Sequence, residues 1–327
     1  MSLCLGVDIG GTKIAASAVA PDGTILARAR RESPAQDADR IERTVADLVE
    51  ELTAQVSGSG EQVVAVGVAC AGFIDRHGES VVFAPNLAWR DEPVKAHLEA
   101  LTGLPVTVEN DANAAAWGEY RFGAGRGVHD LLLVTLGTGV GGGIVTDGHL
   151  VRGAHGFGAE VGHLRVVPDG LRCGCGNTGC WEMYASGSAL VREARAVVAG
   201  GGAHAAYLAG LCGDDPEELD GVMVTEAARA GDPAAVEVLE TVGRWTGEGL
   251  ASLAAVLDPG CVVVGGGVSQ AGDLVLGPAR EAFARHLTGR GHRPTPPVVV
   301  AELGNDAGMV GAADLAARAV GAGPSGR

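Results

Sequence analysis

What this sequence lacks narrows its function before any motif is read. No apolar run reaches the ~20 residues that a membrane-spanning helix needs. Met1–Leu5 leads straight into a strand-like segment without a basic stretch before it, so no secretion signal is expected. Positive charge is short: 24 Lys and Arg stand against 40 Asp and Glu, a formal net charge of −16. Such a chain repels a phosphate backbone at long range, which argues against nucleic acid as a partner. A single nucleotide is still admissible, because oriented backbone amides and a metal ion decide that locally. Seven cysteines, an odd number with three of them clustered, do not make the paired framework of a disulfide scaffold. The expected setting is reducing and cytoplasmic, where a cysteine cluster reads as metal binding. No low-complexity linker interrupts the chain.

What is present is enough apolar sequence for real cores: 46% of 327 residues, a length that suits two domains at ~150 residues each. Leu3–Ile9, Ile14–Ala20 and Thr24–Arg30 read as strands, the last two joined by the turn Pro21-Asp22-Gly23. Asp37–Val56 reads as a helix with Ile41, Val45, Leu48, Val49, Leu52 and Val56 on one face. Val63–Ala69 and Pro105–Val108 read as strands, Glu92–Leu101 and Ala112–Tyr120 as helices. From about Asp130 a glycine-rich hairpin opens a second half. There Gly153–Gly179 is irregular, Ala185–Val198 helical and Gly200–Asp220 loop-like. Ala234–Leu257 is a long helix, Cys261–Val264 a short strand, Leu274–Leu287 a helix, Val298–Leu303 a strand and Met309–Val320 a last helix. The tail Gly321–Arg327 is expected to fray. The pattern is α/β, with strand ends leading to glycine or polar residues, where ligands bind in such sheets.

Two apolar runs that turn through glycine carry the first chemistry. Val134–Val145 passes through Gly137-Thr138-Gly139, and Leu3–Val19 passes through Asp8-Ile9-Gly10-Gly11-Thr12-Lys13. Free N–H groups in such turns can cradle phosphate oxygens, and Thr12 adds a hydroxyl. A carboxylate at a strand end, Asp8, can hold Mg²⁺ through water. This is not the Walker pattern, since a strand and not a helix follows. A third glycine turn is Gly265-Gly266-Gly267. Asp111 stands where a strand gives way to a helix. A cap is the plain reading of it, and the proton acceptor of a phosphoryl transfer is the functional one. Asn110 offers a donor and an acceptor to a sugar hydroxyl. His163, Cys173, Cys175 and Cys180 supply one imidazole and three thiols, the donor set of a closed tetrahedral Zn²⁺ site. Glu160 and Glu182 bracket that segment, and carboxylates that accept from vicinal hydroxyls suit a sugar.

Taken in order, Asp8-Ile9-Gly10-Gly11-Thr12-Lys13, Glu109-Asn110-Asp111-Ala112-Asn113, Leu136-Gly137-Thr138-Gly139-Val140-Gly141, Gly158-Ala159-Glu160-Val161-Gly162-His163 and Cys173-Gly174-Cys175-Gly176-Asn177-Thr178-Gly179-Cys180-Trp181-Glu182 make the chain resemble the ROK family (repressors, open reading frames, kinases). The resemblance runs from Leu3 to about Val320. It implies the α/β, two-domain, actin-like (ribonuclease-H-like) fold with the active site in the interdomain cleft. The implied domains are 1–110 plus about 305–327, and 111–304 with the zinc site. The implied activity is ATP-dependent phosphorylation of glucose at its 6-hydroxyl, with Asp111 as base. Asn110, Asp111, Glu160, His163 and Glu182 match sugar ligands, and Gly72 and Asn86 weaker sugar contacts. Asp8, Gly10, Gly11, Thr12, Lys13, Thr138 and Gly139 fall on the phosphate and Mg²⁺ side of ATP, and Gly265, Gly266 and Gly267 on its adenosine side. His163, Cys173, Cys175 and Cys180 match a structural zinc site, with the second ring nitrogen of His163 free to donate to the sugar. A homodimer or homotetramer is implied. Phe73 stands where many members have proline after the glycine at 72. Two other readings stay open: a kinase for mannose, fructose or an N-acetylhexosamine, and a sugar-sensing regulator. Regulators of this kind carry a helix-turn-helix domain ahead of the first hairpin, whereas here Leu3 already begins the strand.

Overall fold

A computed structural model describes residues 2–58, 60–213 and 215–322; of the expected tail, residues 323–327 lie outside them. The chain divides into two compact units, 1–133 with 143–159 and 301–327, and 134–142 with 160–300. This partition and the division 1–110 plus 305–327 against 111–304 differ over 111–133, 143–159 and 301–304.

The first half runs β1 (Ser2–Ile9), β2 (Lys13–Val19), β3 (Ile25–Glu32), α1 (Ala38–Ser57), β4 (Gln62–Cys70), β5 (Phe73–Ile74), β6 (Val81–Phe83), β7 (Arg90–Glu92), α2 (Val94–Thr102), β8 (Val106–Asn110) and α3 (Asp111–Phe122). After it come β9 (Leu131–Leu136), β10 (Val140–Thr146), β11 (His149–Leu150), α4 (Glu182–Ala185), α5 (Gly187–Gly200), α6 (Ala206–Leu211), α7 (Gly221–Arg229), α8 (Pro233–Leu257), β12 (Cys261–Gly265), α9 (Asp273–His286), β13 (Val298–Val300) and α10 (Ala307–Ala319). One five-stranded sheet has the order β3-β2-β1-β4-β8, another β11-β10-β9-β12-β13, and β5-β6-β7 form a small third.

In the first unit β1 pairs antiparallel with β2 and parallel with β4, and β4 pairs parallel with β8. Side chains alternate across β1. Leu3, Leu5, Val7 and Ile9 enter the core with Ile41, Val45, Leu48 and Leu52 of α1 and Leu98 of α2. Cys4 faces the other way, toward Val310 and Ala313 of α10. On that face glycine lets the helix come down onto the strands. A methyl at Gly6 would stand 1.9 Å from the Met309 carbonyl oxygen, and one at Gly67 1.9 Å from that of Ala312. α3 packs on α10 by the same means, since a methyl at Gly311 would stand 1.8 Å from the Ala114 carbonyl oxygen. The buried carboxylate of Glu119 on α3 accepts from the backbone N–H groups of Ala124, Glu302 and Leu303, which fixes the approach to α10.

Several boundaries differ from the sequence reading, each for a local reason. The helix expected from Glu92 begins at Val94, because Glu92 ends a strand and Pro93 caps the helix. The strand expected over Val298–Leu303 stops at Val300. The helix expected over Ala185–Val198 runs Gly187–Gly200, capped by Ser186, whose side chain accepts from the Ala189 N–H, and Ala185 ends the short helix before it. Gly200–Asp220 holds α6, and β5, β6 and β7 are too short to show alternation.

Candidate active site

In the first unit the site is built at the carboxyl ends of parallel strands. Asp8 of β1 pairs with Ala69 of β4, which pairs with Glu109 of β8, so the ends of the three strands form one edge. Just beyond Asp8, the Ile9–Ile14 pair closes the turn, and the Gly10 N–H donates to the Lys13 carbonyl at 3.0 Å. Gly11, Thr12 and Lys13 are exposed in it. Just beyond Glu109, Asn110 caps α3: its Oδ1 accepts from the Asn113 N–H at 3.0 Å, and its Nδ2 donates to the Gly72 carbonyl at 3.1 Å. Gly72 is glycine because a methyl there would stand 2.7 Å from the Phe83 carbonyl oxygen. Asn86 lies against the first turn, its Cβ 3.2 Å from where a methyl on Gly11 would be.

Charge at this edge is unusual. Burial, then the Asp111 charge, push Asp8 up to about 6 against the opposing pull of Lys13. Burial also raises Asp111, while the N–H groups of Ala112 and of Asp111 itself and the Asn110 amide pull it back. Raised carboxylates at a strand end are the stronger bases that acid–base work requires. Beneath them, Glu109 is buried and paired with Arg152 at 2.7 Å, and it also receives the Asn113 amide at 3.1 Å. Arg152 escaped the sequence reading, since nothing in its spacing marks a partner 43 residues away.

In the second unit the Thr138 turn is gripped from two sides. The Gly187 N–H at the start of α5 donates to the Gly137 carbonyl at 2.7 Å. Gly266, with φ +84, brings its backbone so close that a methyl would stand 2.5 Å from the Leu136 carbonyl oxygen. Gly265 is buried at the end of β12, and Gly267 opens onto a cavity of about 910 Å³. Thr138, Ser188, Arg192, Arg195 and Arg229 line the same cavity. Arg195 pairs with Glu217 at 2.6 Å, and Arg229 donates to the Gln270 carbonyl at 2.7 Å. These arginines, too, were missed; on a helix face they read as solvated charge.

A ring nitrogen of His163 and the sulfurs of Cys173, Cys175 and Cys180 all lie within 4.8 Å of one another. Cys173 Sγ is 3.7 Å from His163 Nδ1, and Cys175 Sγ is 3.6 Å from Cys180 Sγ. Two sulfurs bound tetrahedrally at about 2.3 Å stand about 3.8 Å apart, so the set fits Zn²⁺. His163 turns Nδ1 to this set, which leaves Nε2 for another partner. Glu160 and His163 lie at the two ends of one 3-10 turn, the His163 N–H donating to the Glu160 carbonyl at 3.1 Å. Glu182 receives the Cys173 thiol at 2.9 Å, and its other oxygen lies 2.6 Å from where a methyl on Gly139 would stand. Sulfur cluster, carboxylate and the Thr138 turn are thus contiguous. Trp181 anchors them: it is buried, donates to the Trp245 carbonyl at 2.8 Å and packs on Gly249 of α8.

Residues 4–319 match the model of the ROK family. A glucokinase of Streptomyces coelicolor is 49% identical, with 97% of this chain and 98% of that protein covered. The crystal structure of a ROK family glucokinase from Streptomyces griseus in complex with glucose and AMPPNP superposes with a TM-score of 0.86 at 51% identity, covering 97% and 99%. That of a ROK hexokinase from Thermus thermophilus gives 0.82 at 36% identity, covering 98% and 100%.

Proposed function

The chain belongs to the ROK family, and from that membership we propose that it transfers the γ-phosphate of ATP to the 6-hydroxyl of glucose. The observation that carries this reading is the strand edge where Asp8, the Gly10–Lys13 turn and Asp111 meet, each carboxylate raised by burial. Phosphoryl transfer asks a protein for positioning, charge neutralisation and one proton acceptor. Asp111 is the acceptor. The bond from the sugar oxygen to phosphorus forms, the bond from phosphorus to the ADP oxygen breaks, and the hydroxyl proton passes to the Asp111 carboxylate. Its raised pKa makes it a better base than an ordinary aspartate.

The Gly10–Lys13 and Thr138–Gly139 turns offer N–H groups and hydroxyls to phosphate oxygens, and the cavity beside Gly267 has room for a nucleoside. Mg²⁺, held by Asp8 through water, would neutralise charge on the phosphates. Asn110, Glu160, Glu182 and His163 Nε2 hold sugar hydroxyls, with Gly72 and Asn86 at the margin. Zn²⁺ on His163, Cys173, Cys175 and Cys180 would have no open coordination position. Its part is structural, and it fixes the tautomer and aim of His163. The reading carries with it a reducing, cytoplasmic setting, in which thiols stay available to a metal. Among the described residues no helix is long and apolar enough to cross a membrane.

The test is ADP release with ATP as donor, and hexose phosphate formation with polyphosphate as donor, over glucose, mannose, fructose and N-acetylmannosamine. Glucose with ATP is expected to give the highest kcat/KM. No release with any hexose would overturn the reading, and a tenfold or greater preference for another hexose would reassign the substrate.

A further inference from the structure

Glu42, Glu92 and His97 meet on the first unit, and no step proposed above uses them. Glu42 lies in α1, Glu92 ends β7 and His97 sits in the first turns of α2. α1 and α2 cover the face of the sheet reached by Leu3, Leu5, Val7 and Ile9. Asp8, an even position on the same strand, belongs to the opposite face. His97 Nδ1 is 3.2 Å from both oxygens of Glu42 and 3.2 Å from Glu92 Oε1. Three carboxylate oxygens from two elements therefore converge on one nitrogen from a third.

We propose that Glu42, Glu92 and His97 form a binding site for a divalent cation of the Zn²⁺ or Co²⁺ kind. Ligand atoms about 2.1 Å from one ion, at ordinary coordination angles, stand ~3.0–3.4 Å apart. The three nitrogen-to-oxygen spacings fall within that range, and one ligand atom from each residue lies within 4.8 Å of the others, so an ion can take the place of the Nδ1 proton. Glu42 is only 5% exposed, with the charges of Glu92 and Asp39 close by. A buried carboxylate in that company gains most from a cation that neutralises all three acids. Asp39, one turn before Glu42, is placed to join through water. One imidazole with two carboxylates favours zinc and cobalt over the all-oxygen preferences of Mg²⁺ and Ca²⁺. The ion would tie α1 to α2 through the short strand that precedes Pro93.

The test uses the purified full chain, its metal content first measured, and Co²⁺ as the probe. Equilibrium dialysis and thermal unfolding are run on the wild type, on His97→Gln and on Glu92→Gln. His97 is 46% exposed at its side chain and Glu92 22%, so both substitutions leave the core alone. Neither residue belongs to the sugar or phosphate set, so turnover should be unchanged in both. The wild type is expected to take up one Co²⁺ per chain more than either variant and to gain Tm with Co²⁺ where they do not. Affinity should fall at least about tenfold with either ligand gone, the loss typical of weaker outer contacts. Because only the difference between wild type and variants is read, metal on the cysteine cluster does not enter. Equal uptake by all three proteins, or none by the wild type, would overturn the site and leave an ion triad only.

Discussion

Asp8 carries a cost in stability that the chemistry proposed for it would require. Its pKa is raised to about 6, first by burial and then by the charge of Asp111. A carboxyl whose folded pKa exceeds its unfolded value of about 3.8 favours the folded state less once it ionises. The cost is absent below pH ~4, grows as pH rises, and is complete above about 6, at up to ~3 kcal/mol. Asp8→Asn should therefore raise Tm at pH 7.5, leave it unchanged near pH 3.5, and lose most turnover at any pH. Thermal unfolding at the two pH values checks this, and a lower Tm at pH 7.5 would refute it. Asp8, Asp111 and the three clustered cysteines were legible in the sequence because each sits in a motif whose chemistry is local. Arg152 and the Glu42–His97 pair were not, because their partners lie 43 and 55 residues away.

The contact between α10 and the sheet depends on glycine at strand positions. Gly67→Ala would set a methyl against the Ala312 carbonyl, and overpacking of that kind costs about 1–3 kcal/mol. The midpoint of urea unfolding should fall accordingly, with the slope unchanged. The segment Gly158–Glu182 has little regular structure and relies on its own anchors, Trp181 among them. Cys175→Ser should lose bound zinc in elemental analysis and lower Tm; a wild-type protein that carries no zinc would remove the four-ligand site. Long elements were readable from periodicity, as with α1 and its buried stripe, or α8 with Asp232 capping it and Asp258 ending it. β5, β6 and β7 escaped because strands of two or three residues have no period. Phe73 shows the cost: it belongs to β5, its ring 6.4 Å from that of Phe83 and 5.1 Å from that of Phe157, an aromatic cluster no local pattern announces.

Over the whole molecule, chain order and compact units part company. The last helix, α10, belongs to the unit that begins with β1, and the Thr138 turn belongs to the unit that carries the three clustered cysteines. Motif order was legible because each motif is a short run. The resemblance already set 305–327 beside 1–110, whereas the grouping of 111–133 and 143–159 with them depends on contacts between distant segments, such as α10 with α3. Each unit carries a part of the proposed chemistry: Asp8, Asn110 and Asp111 in one, Thr138, His163 and Glu182 in the other. The role proposed for Asp111, the base in glucose phosphorylation by ATP, is tested by setting glucose affinity beside ADP release for the wild type and Asp111→Asn. Glucose binding is expected within a few-fold of wild type, with a kcat lower by about 10²–10⁴. Turnover of glucose by Asp111→Asn at near the wild-type rate would contradict it.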